Sequence, residues 1–474
     1  MGKRETGGAV LFVAVLALLS SVPAAAQTLG GTGDLRLPPM ARQLGLSGGG
    51  FLFLPSLKLG YGYDTNVFLE DSLAGQEDPD GSQLLDIRPG IELKNKNRDN
   101  LSLDFRGGGL VRQYLTGDDV ISEHSDIGGD VGLKVGFLES GPVSLRVKER
   151  FQRVLERRTF ETTRKFNRHV NDVGAGVTFQ PGGRALQLNL DYSFVADLMT
   201  DTSGDWGDLI FHDVALQGSW KFFPFTALVL EADWQYRDYL MESRGFYGEL
   251  TDNYPLRIRA GVNGFITPKL SVLALIGYGN SFHEVRPTSA AEAAAPADQQ
   301  TPNANDSFNM VLGEVRVSFK PTETTILQAS YRYDFQDSVF TNYAAYHKIS
   351  ANFQQRLFGR FDLIVDAGYF DVFYSQLPYE YLHNSYDTSV VGFNATGRGY
   401  REDRILMGGV RGVVDITRLL AFELAYSMEL FNEPFNSDGK FFTCLEHACN
   451  SPDVIKDSIA YQRHQVMGIL TLRY

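Results

Sequence analysis

The side chains with most chemistry to offer are charged residues that recur at every second position of long alternating segments. Arg146, Lys148 and Arg150 form one such series, and Glu231 with Asp233, Arg257 with Arg259 and Arg332 with Asp334 are pairs spaced the same way. Asp191, Arg356 and Glu423 stand on polar faces of the same kind. A spacing of two places each set on one face of a β-strand. Both signs are present among Gln, Asn and Ser, so these faces offer donors and acceptors to a neutral or modestly charged, hydroxyl-rich solute. The same charges would also pair across strands and keep an interior wet.

Catalytic arrangements are weak by comparison. Glu231 and Asp233 suit the lining of a wall as readily as acid–base work. The histidines at 124, 169, 212, 283, 347, 383, 447 and 464 are scattered, and none opens a metalloprotease or nucleophile motif. No enzyme activity, catalytic residue, metal site or cofactor is expected. Cys444 and Cys449 bracket Leu-Glu-His-Ala in one polar stretch. In an oxidising compartment two close cysteines form a disulfide, while Cys444, His447 and Cys449 as metal ligands would lack a second, spaced ligand pair.

The elements that must carry these faces are strands. Between Ala185 and Leu198, Leu186, Leu188, Leu190, Tyr192, Phe194, Ala196 and Leu198 fall on one side, and Gln187, Asn189, Asp191, Ser193 and Asp197 on the other. Only Val195 breaks the polar side. The period recurs in 226–239 and 327–336. Sandwich strands run about 5–6 residues, whereas a strand tilted across a membrane needs about 9–11. The apolar faces also turn aromatic toward their ends, as interfacial girdles do.

The pattern predicts an all-β protein, a transmembrane antiparallel β-barrel of about eighteen strands, within a range of 16–20. The strands fall near 56–67, 82–95, 100–115, 124–137, 143–157, 166–180, 185–199, 208–222, 226–240, 251–266, 269–285, 306–319, 324–338, 343–357, 361–374, 400–414, 418–432 and 457–473. Those at 82–95 and 361–374 are the least regular, because Pro89 sits inside one and Asp371 interrupts the apolar face of the other. Short turns follow the even strands and longer links the odd ones, which sets short periplasmic turns against long extracellular loops and places both termini on the periplasmic side.

The chain has 474 residues, 43% hydrophobic and 12% aromatic, with 48 Gly and a formal charge of −13. No stretch beyond the N-terminus holds the ~20 apolar residues of a membrane helix, so a helical membrane protein is excluded. The acidic balance leaves nucleic acid without a basic surface to bind. Lys3 and Arg4, the apolar run 9–19 and Ala24-Ala25-Ala26 form a secretory signal peptide over 1–26. Residues 27–55 are then a periplasmic N-terminal segment, too short for a globular plug, and 56–474 the barrel. Among the loops, 286–305, 375–399 and 433–456 are candidates to fold inward, the last two as aromatic lids. The acidic stretch after Asp64 reads as a solvated loop, with cations that bridge lipopolysaccharide as its other reading.

The first strand, Leu57 to Phe68, contains Tyr63-Asp64-Thr65-Asn66-Val67-Phe68 and resembles the opening of the putative beta-barrel porin-2 family. Ile87 to Ile91 and Leu101 to Phe105 resemble that family's next two strands, and the alternation ending at Tyr474 resembles the terminal strand that outer-membrane insertion machinery recognises. Members often accompany exopolysaccharide or capsule assembly. The resemblance therefore implies an outer-membrane exit pore for a surface polysaccharide, working with a separate periplasmic or outer-membrane polysaccharide export protein. A general or substrate-selective diffusion porin and a surface adhesion barrel are the alternatives. Outer-membrane lipids and lipopolysaccharide are the expected surroundings, and a monomer the expected state.

Overall fold

The computed structural model describes residues 46–473, apart from 49, 68–80, 96–99, 123–124, 157–165, 183–184, 201–207, 241–251, 285–306, 339–341, 376, 379–397, 400–401 and 433–460. The signal-peptide expectation, Cys444 and Cys449 lie outside them. One sheet holds nineteen strands; the shortest, Leu46–Gly48, pairs only with its neighbour, and the other eighteen close into a ring.

In chain order the ring strands are β1 (Phe51–Asp64), β2 (Ser82–Asn95), β3 (Leu101–Leu115), β4 (Asp126–Phe137), β5 (Val143–Glu156), β6 (Phe166–Phe179), β7 (Leu186–Met199), β8 (Leu209–Phe223) and β9 (Thr226–Tyr239). They continue as β10 (Leu256–Thr267), β11 (Leu270–Asn280), β12 (Asn309–Thr322), β13 (Thr325–Asp337), β14 (Tyr343–Leu357), β15 (Phe361–Tyr374), β16 (Glu402–Asp415), β17 (Leu420–Asn432) and β18 (Tyr461–Arg473). Each pairs antiparallel with the next, and β1 pairs with β18 from Ser56↔Arg473 to Asp64↔Gln465, so no edge is left open.

Alternation decides which way this ring faces. Leu190, Tyr192 and Phe194 on β7, Leu228, Leu230 and Trp234 on β9, and Leu424 and Tyr426 on β17 all stand exposed on the outside. In water, contiguous apolar surface beyond a few hundred Å² is already exceptional. A belt of this kind round a closed sheet faces hydrocarbon, where only a barrel or a helix satisfies every backbone group. Strands of about 14 residues at ~3.3 Å each, tilted ~40°, span roughly 35 Å, more than the ~25 Å apolar band they must cross.

The predicted strands are all present, most within two residues of their expected ends. β1 starts at Phe51 rather than 56. β10 starts at Leu256 rather than 251, because Asn253 makes only isolated bridges to Arg237 and His283. β11 stops at Asn280, since Phe282 takes a left-handed φ of 45° that ends the strand. Pro89 is tolerated where the β2–β3 ladder steps from Ile87↔Val111 to Gly90↔Gly108, so its missing N–H costs no bond there. Asp371 faces outward near the upper rim, opposite Arg404, whose Nε lies 3.8 Å away.

The ends of the barrel differ. Tight turns such as 224–225 and 268–269 join the strands at the lower end, where β1 begins and β18 finishes. Apolar side chains pack inside the upper end: Val67, Leu84, Tyr114, Ile121 and Met467 in one cluster, Tyr374, Ile405, Phe431 and Tyr461 in a second. Ile121 belongs to a one-turn helix, α1 (Asp119–Ser122), so the connection between β3 and β4 folds inward. The loops expected to do so lie almost wholly outside the described residues.

Candidate functional site

The candidate site is the inner wall. Arg146, Lys148, Arg150, Asp191, Glu231, Asp233, Arg257, Arg259, Arg332, Asp334, Arg356 and Glu423 all fall on the inward register, but the structure divides ten of them between two environments.

On β5, Arg146, Lys148 and Arg150 rise in steps toward the upper end. Arg146 donates to Asp191 of β7, Lys148 Nζ lies 2.8 Å from Asp172 of β6, and Arg150 lies 3.8 Å from Asp130 of β4. Glycines flank this series. Arg150 is paired with Gly132, Lys148 with Gly174, and Arg146 with both Gly136 and Gly176. A Cβ on Gly174 would sit 2.6 Å from Lys148 Cε, and one on Gly176 would sit 3.0 Å from the Arg146 guanidinium. The long cationic side chains therefore lie over a floor without side chains, which a substitution would fill.

Arg106 of β3 completes the series, two strands from Arg150 across Gly132. Its side chain is 59% exposed, and those of Arg150 and Lys148 are 44% and 38% exposed, each more than the carboxylate it pairs with. Arg106 was not among the residues that the alternating pattern singled out. Gly132, its direct partner on the neighbouring strand, sets no side chain between it and Arg150.

On β9–β13 the arginines are buried with Glu314 and Asp334, while Glu231 and Asp233 stay partly exposed. Arg257 of β10 reaches Asp233 at 3.3 Å and Asp334 at 3.1 Å, donates to the Phe335 carbonyl at 2.8 Å, and covers the Phe335 ring at 4.1 Å. Arg259 lies 3.6–3.7 Å from Glu231, Glu314 and Asp334, and Arg332 closes onto Asp334 at 2.9 Å. Gly277 of β11 lets Arg259 cross, since a Cβ there would meet the Ile258 carbonyl at 1.9 Å. Above Tyr333, β13 parts from β12 and leans over the interior: the last ladder pair is Gly313↔Tyr333, and Asp337 accepts from Arg237 and Tyr239 of β9. Asn253 also donates to Asp337, at 3.2 Å, and its amide meets Nε2 of His283 at 3.3 Å. Nδ1 of that ring meets the Ser281 hydroxyl at 2.9 Å, and burial pushes the His283 imidazole down to about 4.

Two of the predicted residues serve other walls. Arg356 makes a two-pronged contact with Asp362 near the lower end, at 2.8 and 3.0 Å. Glu423 lies 3.9 Å from Arg411.

The motif in β1 has a structural task. Asp64, fully buried, accepts two bonds from Arg463 of β18, at 3.0 and 2.6 Å. Asn66 donates to the Gln462 carbonyl at 3.3 Å, and Thr65 exchanges bonds with His464. Val67 enters the apolar cluster beside Leu84 and Met467. The Asp-Thr-Asn-Val run thus fastens the first strand to the last.

A closed eighteen-stranded barrel with an apolar exterior and a charged, partly solvated interior is the architecture of a membrane-spanning β-barrel. Among solved structures the chain is similar to OpdQ of Pseudomonas aeruginosa, at 9% identity and a TM-score of 0.44, covering 89% of this chain and 98% of that one. It is also similar to the outer membrane protein OpdK of the same organism, at 11% and 0.42, covering 89% and 99%. The FrpB iron transporter of Neisseria meningitidis follows at 9% and 0.42, covering 89% and 81%. No family model matches the chain, and no curated protein does.

Proposed function

We propose that the protein is an outer-membrane diffusion channel whose water-filled path runs along β3–β6 and favours small anionic solutes. The observation that carries this reading is the asymmetry of exposure: Arg106, Lys148 and Arg150 project farther into solvent than Asp104, Asp172 and Asp130 beside them, while the cations of the β9–β13 network, Arg257, Arg259 and Arg332, are only 7–13% exposed and its Glu231 and Asp233 remain partly solvated. A solute meets guanidinium and ammonium groups first, and oriented cations in a narrow aqueous path raise the local anion concentration. The lower end, with the short turns and the termini, faces the periplasm in this reading.

Polysaccharide export with a separate export protein rests on the motif resemblance, and the motif's residues are engaged in closing the seam. The diffusion-channel alternative has support from the wall itself. The test is the reversal potential of single channels under a salt gradient. The native protein is expected to pass chloride over potassium. Arg106→Glu with Arg150→Glu, both solvent-facing, is expected to reverse the sign, and an unchanged sign would remove the reading.

A further inference from the structure

Three times round the wall, an outward tyrosine on an ascending strand meets an outward histidine on the descending strand that follows. Tyr192 Oη lies 2.7 Å from His212 Nδ1, Tyr331 Oη 2.8 Å from His347 Nδ1, and Tyr426 Oη 2.8 Å from His464 Nδ1. The rings stack with centroids 6.0, 6.0 and 6.1 Å apart. The register repeats too. Each histidine stands opposite the residue two places after its tyrosine, in the pairs Phe194↔His212, Tyr333↔His347 and Met428↔His464. Each tyrosine is the seventh residue of its strand.

Counting hydrogens shows what each pair still needs. A phenol carries one O–H and a neutral imidazole one N–H, and the bond between them uses one of the two. With the phenol donating, His Nε2–H is left over; in the other tautomer it is the phenol O–H. Among the described residues nothing accepts either hydrogen. A polar hydrogen facing hydrocarbon without an acceptor is costly, so the acceptor must come from outside the described residues.

Place and chemistry identify that acceptor. The pairs lie on β7/β8, β13/β14 and β17/β18, so no single flat partner covers all three, whereas the surrounding lipid touches each. Every histidine sits three or four residues below the upper end of its strand. At ~3.3 Å per residue and ~40° tilt, that is roughly 8–10 Å down, about 3–5 Å inside the upper edge of a ~25 Å apolar band centred on the wall, within reach of that edge for a long aromatic side chain. Acyl carbonyl oxygens lie at that edge, and phosphates lie farther out. One donor hydrogen from a neutral pair also matches a single carbonyl oxygen, whereas phosphate is held by clustered cations. Asp371 and Arg404 near His347 are engaged with each other, at 3.8 Å.

We propose that the three tyrosine–histidine pairs are binding points for acyl carbonyl oxygens of lipid in the long-loop leaflet, and that they fix the depth of the barrel in the membrane. The proposal rests on the membrane-spanning fold and not on what passes through the interior. It is tested by urea unfolding of the full chain in vesicles of diacyl phosphatidylcholine and of ether-linked phosphatidylcholine with the same chain length. The native protein is expected to lose stability in the ether lipid, its unfolding equilibrium rising roughly fivefold per pair, the worth of one ordinary hydrogen bond. A variant with all six residues changed to Phe is expected to unfold alike in both lipids; equal shifts in native and variant protein, or no shift in either, would overturn the proposal. Single-pair variants such as Tyr192→Phe with His212→Phe, each expected to lose one third of the linkage effect, serve if the full variant does not fold. In vesicles of a phosphate-free diacyl galactolipid the native protein should keep its ester-lipid stability, and a loss there would make phosphate the partner and overturn the carbonyl assignment. Conductance should be native in every folded variant; a conductance change would bear on the channel reading and leave the linkage comparison intact.

Discussion

Asp64 shows how much one buried carboxylate does. It has no solvent exposure and receives both prongs of Arg463, so Asp64→Ala leaves a guanidinium confined against the seam without its partner. Loss of one member of such a pair costs about 3–5 kcal/mol. The expected outcome is a smaller folded fraction on unheated electrophoresis and a lower urea midpoint, with Asp64→Asn intermediate. His283 gives the pH counterpart. Burial holds its imidazole near pH 4 against an ordinary value of 6.5, so between those limits the unfolded chain binds a proton that the folded chain does not. Stability is then full above about pH 6.5, declines as pH falls through this window, and levels off below about 4. The loss is on the order of 3 kcal/mol. Thermal unfolding of the detergent-solubilised protein between about pH 3.5 and 7.5 should show it, and His283→Gln should flatten the profile. Neither role was legible in the sequence: Asp64 belonged to a recognisable motif, but its partner stands 399 positions away, and His283 looked like one more scattered histidine.

At the scale of elements, the connection between β3 and β4 is the piece that alternation could not place. It is short, so it resembled an ordinary loop, yet Ile121 is buried against Leu84, Tyr114 and Met467. One apolar side chain on a one-turn helix has no periodicity to read; its burial depends on inward apolar residues contributed by three different strands. Ile121→Ala removes a buried side chain of a kind that contributes about 2–5 kcal/mol. Because the loss is confined to the inward connection, the expected outcome is higher and noisier single-channel conductance with the barrel still closed. Native conductance would show that the connection does not limit the path. Strands behaved differently. β14 and β15 begin and end at the predicted residues, and even Val195, the one break in the polar side of β7, proves to be a buried inward residue. Long alternating runs leave little freedom, because a slip of one residue would turn every apolar side chain from lipid to water.

For the whole molecule, the field inside the barrel sets the behaviour to expect. If exposed guanidinium groups along β3–β6 govern selectivity, the anion preference must weaken with salt, since the screening length falls from about 10 Å at 0.1 M to about 3 Å at 1 M. Reversal potentials measured at a fixed gradient but rising mean concentration should drift toward zero, and a preference insensitive to salt would point to steric sieving. The amino-acid sequence by itself determined a closed barrel of about eighteen strands, the outward apolar belt and the inward register of the twelve charged residues named for the wall, because each follows from a period of two that local chain geometry enforces. Only the tertiary structure decided which of those inward charges meet water and which are sealed. That division depends on side chains reaching across several strands, on glycines that leave them room, and on β13 leaning toward β9. These are distances between residues remote in the chain, and a one-dimensional pattern does not contain them.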